Sequence, residues 1–441
     1  MLKNIFIGIL LFASITYKEV FSQSINQYKV LLSQNKNDDF PKTLIYDAAK
    51  LPITYKEYNQ LGFKYISTSS LDKPSLVPNK YKYIIWTGVA SNDAKAKWST
   101  EKSPFVSDID QYTKRWDNRL KYYKRSFYNQ NDKDEFGVMV LDIESKKSNE
   151  ELNKEPPYRT QVIRNKERAI TDYKIEMEKL YRFPLEFAKS NHNYYKTWSS
   201  YSDVPVERNW WGIPSKTWEE WTTDPSHLNY ITHTIINNKA IETEFSKNLD
   251  FYTVSTYFFY NPKYYDLNTS NQYLAYLLFQ LEANQAWSDK PIFLYFTFKY
   301  QAAKGRNTLI SKEMVRNSVI FAFISGADGI VLYDDSRKAN EDPKYHSLIE
   351  TFVSSISELN RFRDYFVDKN VIFYKPDNAR DLFVDNRTVI RGIEKNRKLL
   401  IAANNPFARA GEITRIPIYY KGKYISIELV GNETFLKEFP L

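Results

Sequence analysis

Asp142 and Glu144 close an apolar run, Gly137–Asp142 (GVMVLD), with one residue between them. Alternate residues of a strand point the same way, about 6.5–7 Å apart along the chain, so both carboxyls would face one side. Two neighbouring carboxylates resist each other's ionisation, which raises one of them toward the range of a general acid. The same spacing also fits two acids opening a solvated loop, with Lys146 and Lys147 as their partners.

Other chemistries find little support. The chain has no Cys, which excludes a disulfide scaffold, Cys-ligated zinc and a thiol nucleophile. Its four His (His192, His227, His233 and His346) fall at no HxxxH or HExxH spacing, so no metal is expected. No GxSxG elbow occurs. The run TLIYDAAKLP lacks the Gly-rich turn of a dinucleotide site, and no cofactor is expected.

A strand end must hold the acid pair. Apolar β runs occur at Thr43–Asp47, Gly62–Ser67, Lys82–Thr87, Gly137–Asp142, Thr197–Tyr201, Phe251–Tyr257, Pro291–Phe298 and Gly329–Asp334. Helical patterns lie at Ile109–Phe127, about Tyr158–Ser190, Asn271–Trp287, Ser311–Ile324 (with Gly326 as a stop) and about Pro343–Tyr365. Eight strands, most separated by helices, predict an α/β fold, a TIM (β/α)8 barrel over residues 41–366. From Val371 the runs VIFYK, TVIRGI, KLLIAAN, ITRIPIY and YISIEL alternate and are split by turn residues. They predict a small C-terminal antiparallel β domain, sandwich-like and without clear helices, over 367–441. Residues 23–40 read as a polar leader. Residues 1–22 carry Lys3, then an apolar stretch from Ile5 to Ile15, and Val20 and Ser22 before a cleavage position. This is the pattern of a signal peptide, and it is shorter than the roughly 20 apolar residues of a bilayer span. An extracytoplasmic protein without a transmembrane segment is expected.

Barrel active sites gather at the C-terminal ends of the strands. The sixth ends in Thr256 and Tyr257, the seventh in Phe298, Lys299 and Tyr300, and neither carries an acid. The eighth offers Asp334 and Asp335. Either would suit a two-carboxylate glycosidase if it lay about 5–5.5 Å from Glu144. A substrate that supplies its own nucleophile needs no second acid there.

A DxE at the end of the fourth barrel strand is similar to the hyaluronidase family and, more distantly, to the chitinase type. PIFLYFTF, a helix and then SGADGIVLYDD resemble the last two strands of hyaluronidase-like barrels. The resemblance implies that Glu144 is general acid and base. It implies that Asp142 orients and stabilises the 2-acetamido group that attacks the anomeric carbon, with Tyr257 helping to hold it. Tyr333 stands where the family's aromatic is usually Trp, and Ile143 where many members have Trp. The family's disulfides are absent here.

Aromatic residues make up 16% of the chain, and several fall where a sugar ring would stack. Trp86 ends the third strand. Trp198, Tyr201, Trp210, Trp211, Trp218 and Trp221 lie in and after the fifth, where Asp203 offers a carboxylate to a sugar hydroxyl. The net charge of +9 is scattered, with no run of five or six like charges. It suits a uronate-bearing or other glycosaminoglycan-like polysaccharide, and no compact basic motif points to nucleic acid. The expectation is a secreted, hyaluronidase-like glycoside hydrolase acting on N-acetylhexosamine polysaccharide. The alternative is a non-catalytic carbohydrate-binding protein on a degenerate barrel.

Overall fold

The computed structural model describes residues 27–90, 104–107, 109–155, 164–334, 342–367 and 370–441. The expected signal peptide and Asp335 lie outside the described residues. Ten strands come first: β1 (Thr43–Asp47), β2 (Phe63–Ser67), β3 (Lys82–Trp86), β4 (Phe136–Leu141), β5 (Tyr195–Ser200), β6 (His233–Ile236), β7 (Lys239–Glu242), β8 (Tyr252–Ser255), β9 (Ile292–Phe296) and β10 (Gly329–Tyr333). All but β6 and β7 form one parallel sheet in the order β5-β4-β3-β2-β1-β10-β9-β8.

The sheet closes on itself between β5 and β8, which makes it a barrel. The backbone contributes a parallel bridge from Tyr201 to Thr253 and bonds from Ser202 N–H to the Thr253 carbonyl (3.1 Å) and from Asp250 N–H to the Trp198 carbonyl (2.9 Å). Side chains supply the rest. Ser199 Oγ donates to the Phe251 carbonyl (2.8 Å), Thr253 Oγ1 to the Ser200 carbonyl (2.7 Å), and Asp250 Oδ2 accepts from Trp198 N–H (2.7 Å).

Strands covered on both faces read as continuous apolar runs, and β4 and β9 are buried throughout. Ile45, Tyr83, Val138, Val140, Phe251, Phe293, Tyr295 and Val331 fill the barrel interior. Their neighbours Leu44, Tyr46, Met139, Leu141, Leu294 and Leu332 pack outward under the helices. The helix Ile109–Phe127 buries Tyr112, Trp116, Leu120 and Tyr123, the one-sided spacing of an amphipathic helix. Ser311 caps Lys312–Ile324 through the Met314 N–H, and Gly326, at φ +96, turns the chain into β10. Gly137 at the base of β4 is required by close approach: a Cβ there would lie 2.5 Å from the Lys80 carbonyl oxygen and 2.6 Å from the Tyr65 ring.

Several elements depart from the sequence expectations. The leader is not merely polar. Residues 27–34 are helical, and Tyr28, Leu31 and Leu32 are buried. Tyr28 Oη bonds His346 Nδ1 at 2.5 Å, so this helix is docked on the last barrel helix, Pro343–Asn360. After β2, where Pro74 and Pro78 interrupt any helical run, the chain makes three single 3-10 turns. Between β5 and β8 runs a long excursion that holds the β6–β7 hairpin.

The C-terminal part holds β11 (Ile372–Tyr374), β12 (Val389–Lys395), β13 (Lys398–Asn404), β14 (Ile413–Tyr420), β15 (Lys423–Val430) and β16 (Phe435–Pro440). Antiparallel β11-β12-β13-β16 pack against the β14-β15 pair through Leu399, Ile401, Ile416, Ile418, Ile427 and Leu429. Positive φ at Asn396 and Arg397, and at Lys421 and Gly422, marks the two tight hairpin loops. A short helix, Ala379–Asp385, and the last strand, β16, were not foreseen. Gln272 Nε2 donates to the Phe383 carbonyl (2.9 Å) and so ties that helix to the barrel. Fully buried Arg391 grips Glu282 of the barrel helix Tyr273–Gln285 with two bonds, 2.7 and 3.1 Å. No helix among the described residues is long and apolar enough to cross a membrane.

Candidate active site

The fourth strand delivers Asp142 and Glu144 to the end of the barrel. Asp142 N–H donates to the Trp86 carbonyl (3.2 Å), which extends the β3–β4 pairing by one step. Asp142 follows Val138 and Val140 in the inward register, and its side chain is half-buried. Glu144 is solvent-accessible and has φ +44, a left-handed conformation that a non-Gly residue adopts only when its surroundings hold it.

Three tyrosines do the holding. Tyr181 Oη accepts the Ser145 N–H at 2.9 Å, Tyr173 Oη accepts the Lys147 N–H at 3.1 Å, and Tyr230 Oη donates to the Lys147 carbonyl at 2.7 Å. Tyr173 and Tyr181 project from the helix Lys166–Asn191, so the loop after β4 is tied down by phenols where a ladder would otherwise be needed.

The lysines expected to neutralise the two acids are engaged elsewhere. Lys146 Nζ lies 2.9 Å from Asp203 Oδ1 and 3.0 Å from Glu207 Oε2, and Lys147 lies 3.5 Å from Glu155. Among the described residues no hydrogen bond or ion pair engages the carboxyl of Asp142 or Glu144. Burial, and then the Asp203 charge, raises the Asp142 carboxyl above its ordinary range. Partial burial, then the charges of Asp142 and Asp203, raises Glu144 as well, against an opposing pull from Lys146.

Beside the acids stands a wall of phenols that begins on the neighbouring strand. Tyr201, Tyr257 and Tyr333, at the ends of β5, β8 and β10, form a stacked series with centroids 6.3 Å and 6.1 Å apart and planes 29° and 24° apart. Tyr295 braces Tyr201 and Tyr333 from within the barrel. Burial, together with the Glu144 and Asp142 charges, pushes the Tyr201 phenol up, which ties the wall to the acid pair. The structure thus brings together Asp142, Glu144, Tyr201, Tyr257 and Tyr333.

Three other expected site residues sit elsewhere. Trp86 is 1% exposed and meets Trp116 edge-on in the outer layer, so it presents no ring face to a ligand. Asp203 is 1% exposed and accepts from Lys146 and from Ser200 Oγ (2.5 Å), so its carboxylate is spent inside the fold. Asp334 is buried and paired with Lys299 at 2.5 Å, facing the helix layer and not the barrel mouth. Of the Trp residues around the fifth strand, Trp198, Trp210 and Trp221 are core, Trp218 is half-buried, and Trp211 is 68% exposed.

One residue was missed. Asp47 ends β1 in the inward register after Ile45 and is 6% exposed, with Ser67 at the end of β2 opposing, but not cancelling, the effect of burial on its carboxyl. Its Oδ2 is buried without a hydrogen-bond partner among the described residues. Burial raises its carboxyl to about 6, and its charge adds to the burial that raises Tyr83 and Tyr295, whose hydroxyls bond to each other. The signal was present in TLIYD, an acid at a barrel strand end. No group of three or more His, Cys, Asp or Glu among the described residues could hold a metal ion.

No protein-family model and no curated protein matches the chain. Solved structures with a similar course include bee venom hyaluronidase in complex with a hyaluronic acid tetramer, at 12% identity and TM-score 0.44, covering 72% of this chain and 99% of that one. A maltogenic alpha-amylase from Thermotoga neapolitana aligns at 11% identity and TM-score 0.41, over 90% of this chain and 99% of that one. A glycoside hydrolase family 5 protein from Bacteroides vulgatus aligns at 13% and 0.37, over 91% and 86%. Values this low carry no inference about residue roles, which rest on the site's own geometry.

Proposed function

We propose that this chain is a glycoside hydrolase that acts outside the cytoplasm on polysaccharide containing N-acetylhexosamine, with retention of configuration through the substrate's acetamido group. The observation that carries this reading is the state of Asp142 and Glu144. They stand at a barrel strand end, beside three stacked phenols, and among the described residues no cation or hydrogen bond engages either carboxyl. Accessible acids whose proton affinity is raised by burial and by each other are suited to proton transfer, whereas acids in a surface loop pair with nearby lysines.

In this mechanism Glu144 protonates the glycosidic oxygen as its bond to the anomeric carbon breaks. The acetamido oxygen of the same sugar attacks that carbon, and Asp142 accepts the acetamido N–H and steadies the cationic ring that forms. Water then opens the ring, and Glu144 takes its proton. Tyr257 contributes a hydroxyl toward the acetamido group, and Tyr201 and Tyr333 face the sugar. Asp334, the acid expected from sequence to rival this scheme, is enclosed against Lys299 and unsuited to attack a sugar.

The test is reducing-end release from hyaluronan, chondroitin, chitin oligomers and polymers lacking a 2-acetamido group, by wild type and Glu144→Gln. Cleavage should be confined to acetamido sugars and fall by about 10²–10⁴-fold in Glu144→Gln. Equal cleavage by both proteins removes Glu144 from the mechanism. The tyrosine wall by itself also favours a second reading, a carbohydrate-binding protein without turnover. Binding to the same panel without product would establish that one.

A further inference from the structure

By sequence, Lys146 is the nearest cation to Glu144, two residues along the same loop. A lysine has the reach to fold back onto such a neighbour. It does not do so here. Its ammonium sits between Asp203 (2.9 Å) and Glu207 (3.0 Å), and 5.7 Å from the centroid of the Tyr181 ring. Asp203 is itself fixed by Ser200 Oγ at 2.5 Å. Lys146 and Asp203 are both almost fully enclosed, so each is the other's main compensation for lost hydration.

We infer that Asp203, backed by Ser200 and Glu207, is a positioning residue that sequesters Lys146 and thereby keeps this cation off the Glu144 carboxyl. The inference rests on the role proposed for Glu144 above. It follows from what the loop would do otherwise. With the Asp203 charge removed, Lys146 keeps only Glu207, which is half in solvent and correspondingly screened. The other carboxyl that already feels its charge is Glu144, which has no partner among the described residues. An ammonium brought to Glu144 favours its ionised form and removes its proton from use. Among the described residues, the charged and titratable groups acting on Glu144 are Asp142 from its own strand end, Asp203, Glu207 and Tyr201 from the segment after β5, and Lys146 from its loop. Neutralising Asp203 thus removes one anion from this set and releases the one cation it holds among the described residues.

The measurement is a carbon-13 titration of the Glu144 carboxyl in protein labelled at glutamate, with the resonance assigned by its loss in Glu144→Gln. It needs no substrate. In Asp203→Asn, Glu144 should titrate at lower pH than in wild type. Adding Lys146→Met to Asp203→Asn should return it to the wild-type value or above. Glu207→Gln, at the rim of the clamp, should give a smaller shift of the same sign and guards against an Asp203 variant that does not fold. Where turnover is found, the alkaline limb of the pH profile should move with the titration. An unchanged Glu144 titration in Asp203→Asn and Glu207→Gln overturns the inference, as does a shift that Lys146→Met does not reverse. A shifted titration in a protein that cleaves nothing counts against the glycosidase reading and leaves the sequestration standing.

Discussion

Tyr181 Oη accepts the N–H of Ser145, the residue after Glu144, at 2.9 Å. The bond runs from the helix Lys166–Asn191 to the one backbone group that most directly sets where Glu144 points. Tyr181→Phe keeps the ring in its packing and deletes only the acceptor. A part-buried N–H left without a partner costs about 1–3 kcal/mol. We expect denaturant unfolding to show a loss in that range, and turnover to fall more than substrate affinity does. A variant as active as wild type on the best polymer of the panel would mean that Glu144 is placed by other contacts.

Asp47 should make the protein less stable as the pH rises. Its carboxyl is raised from 3.8 to about 6 by burial, so the folded state holds the proton longer than the unfolded chain does. Below about pH 4 both states are protonated and no penalty exists. Between about pH 4 and 6 the unfolded chain releases the proton first and stability declines, and above 6 a penalty of about 3 kcal/mol persists. Asp47→Asn removes this dependence. Urea titrations at pH 4, 5 and 7 should show the variant gaining on wild type with each step up to about pH 6. A difference independent of pH would show that Asp47 ionises in the fold as it does in water.

Asp334 should matter to folding and not to chemistry. Breaking a buried ion pair from one side typically costs about 3–5 kcal/mol, and Asp334→Asn leaves the Lys299 ammonium enclosed. The thermal midpoint should drop, while turnover per folded molecule stays within a few-fold of wild type. Loss of turnover by orders of magnitude in a protein of unchanged stability would instead identify Asp334 as a reacting carboxylate.

Arg391 fixes the C-terminal sheet to the barrel. Both it and Glu282 are fully enclosed, and Lys375 stands 3.7 Å from the same carboxylate. Arg391→Met strands a buried charge and should cost about 3–5 kcal/mol in chemical unfolding. Pairing it with Glu282→Met should recover a large part of that loss. If the double variant is no better than the single one, the stabilisation comes from packing of the arginine stem and not from charge.

The parallel barrel was legible because its strands are buried on both faces, and runs such as GVMVLD and PIFLYFTF show that directly. The same property hid which residues point inward. In TLIYD and KYIIW every position from the second onward is apolar or terminal, so no alternation gives the register. Asp47 turned in and Trp86 turned out, and the sequence could not separate the two. Asp203 and Asp334 failed for another reason. Each is held by a lysine far along the chain, Lys146 at 57 residues and Lys299 at 35, and such a meeting exists only after the barrel has closed. The acid pair was readable because both members belong to one strand end. The three tyrosines of the wall lie on three strands, and only the family resemblance and the strand ends linked them.

Seven neighbouring strand pairs of the barrel are joined by backbone ladders, and the eighth pair, β5 with β8, is stitched largely by Ser199, Thr253 and Asp250. A ring made this way can give at that joint, because a few side-chain bonds can lengthen without unzipping a ladder. The stitch also divides the site. Asp142 and Tyr201 belong to the β4–β5 lip, Tyr257 and Tyr333 to the β8–β10 lip. Spreading at that joint would part the phenol wall between Tyr201 and Tyr257 and carry the acids with one half, so it would change the distance from the acids to Tyr257 and Tyr333 while leaving Tyr201 beside them.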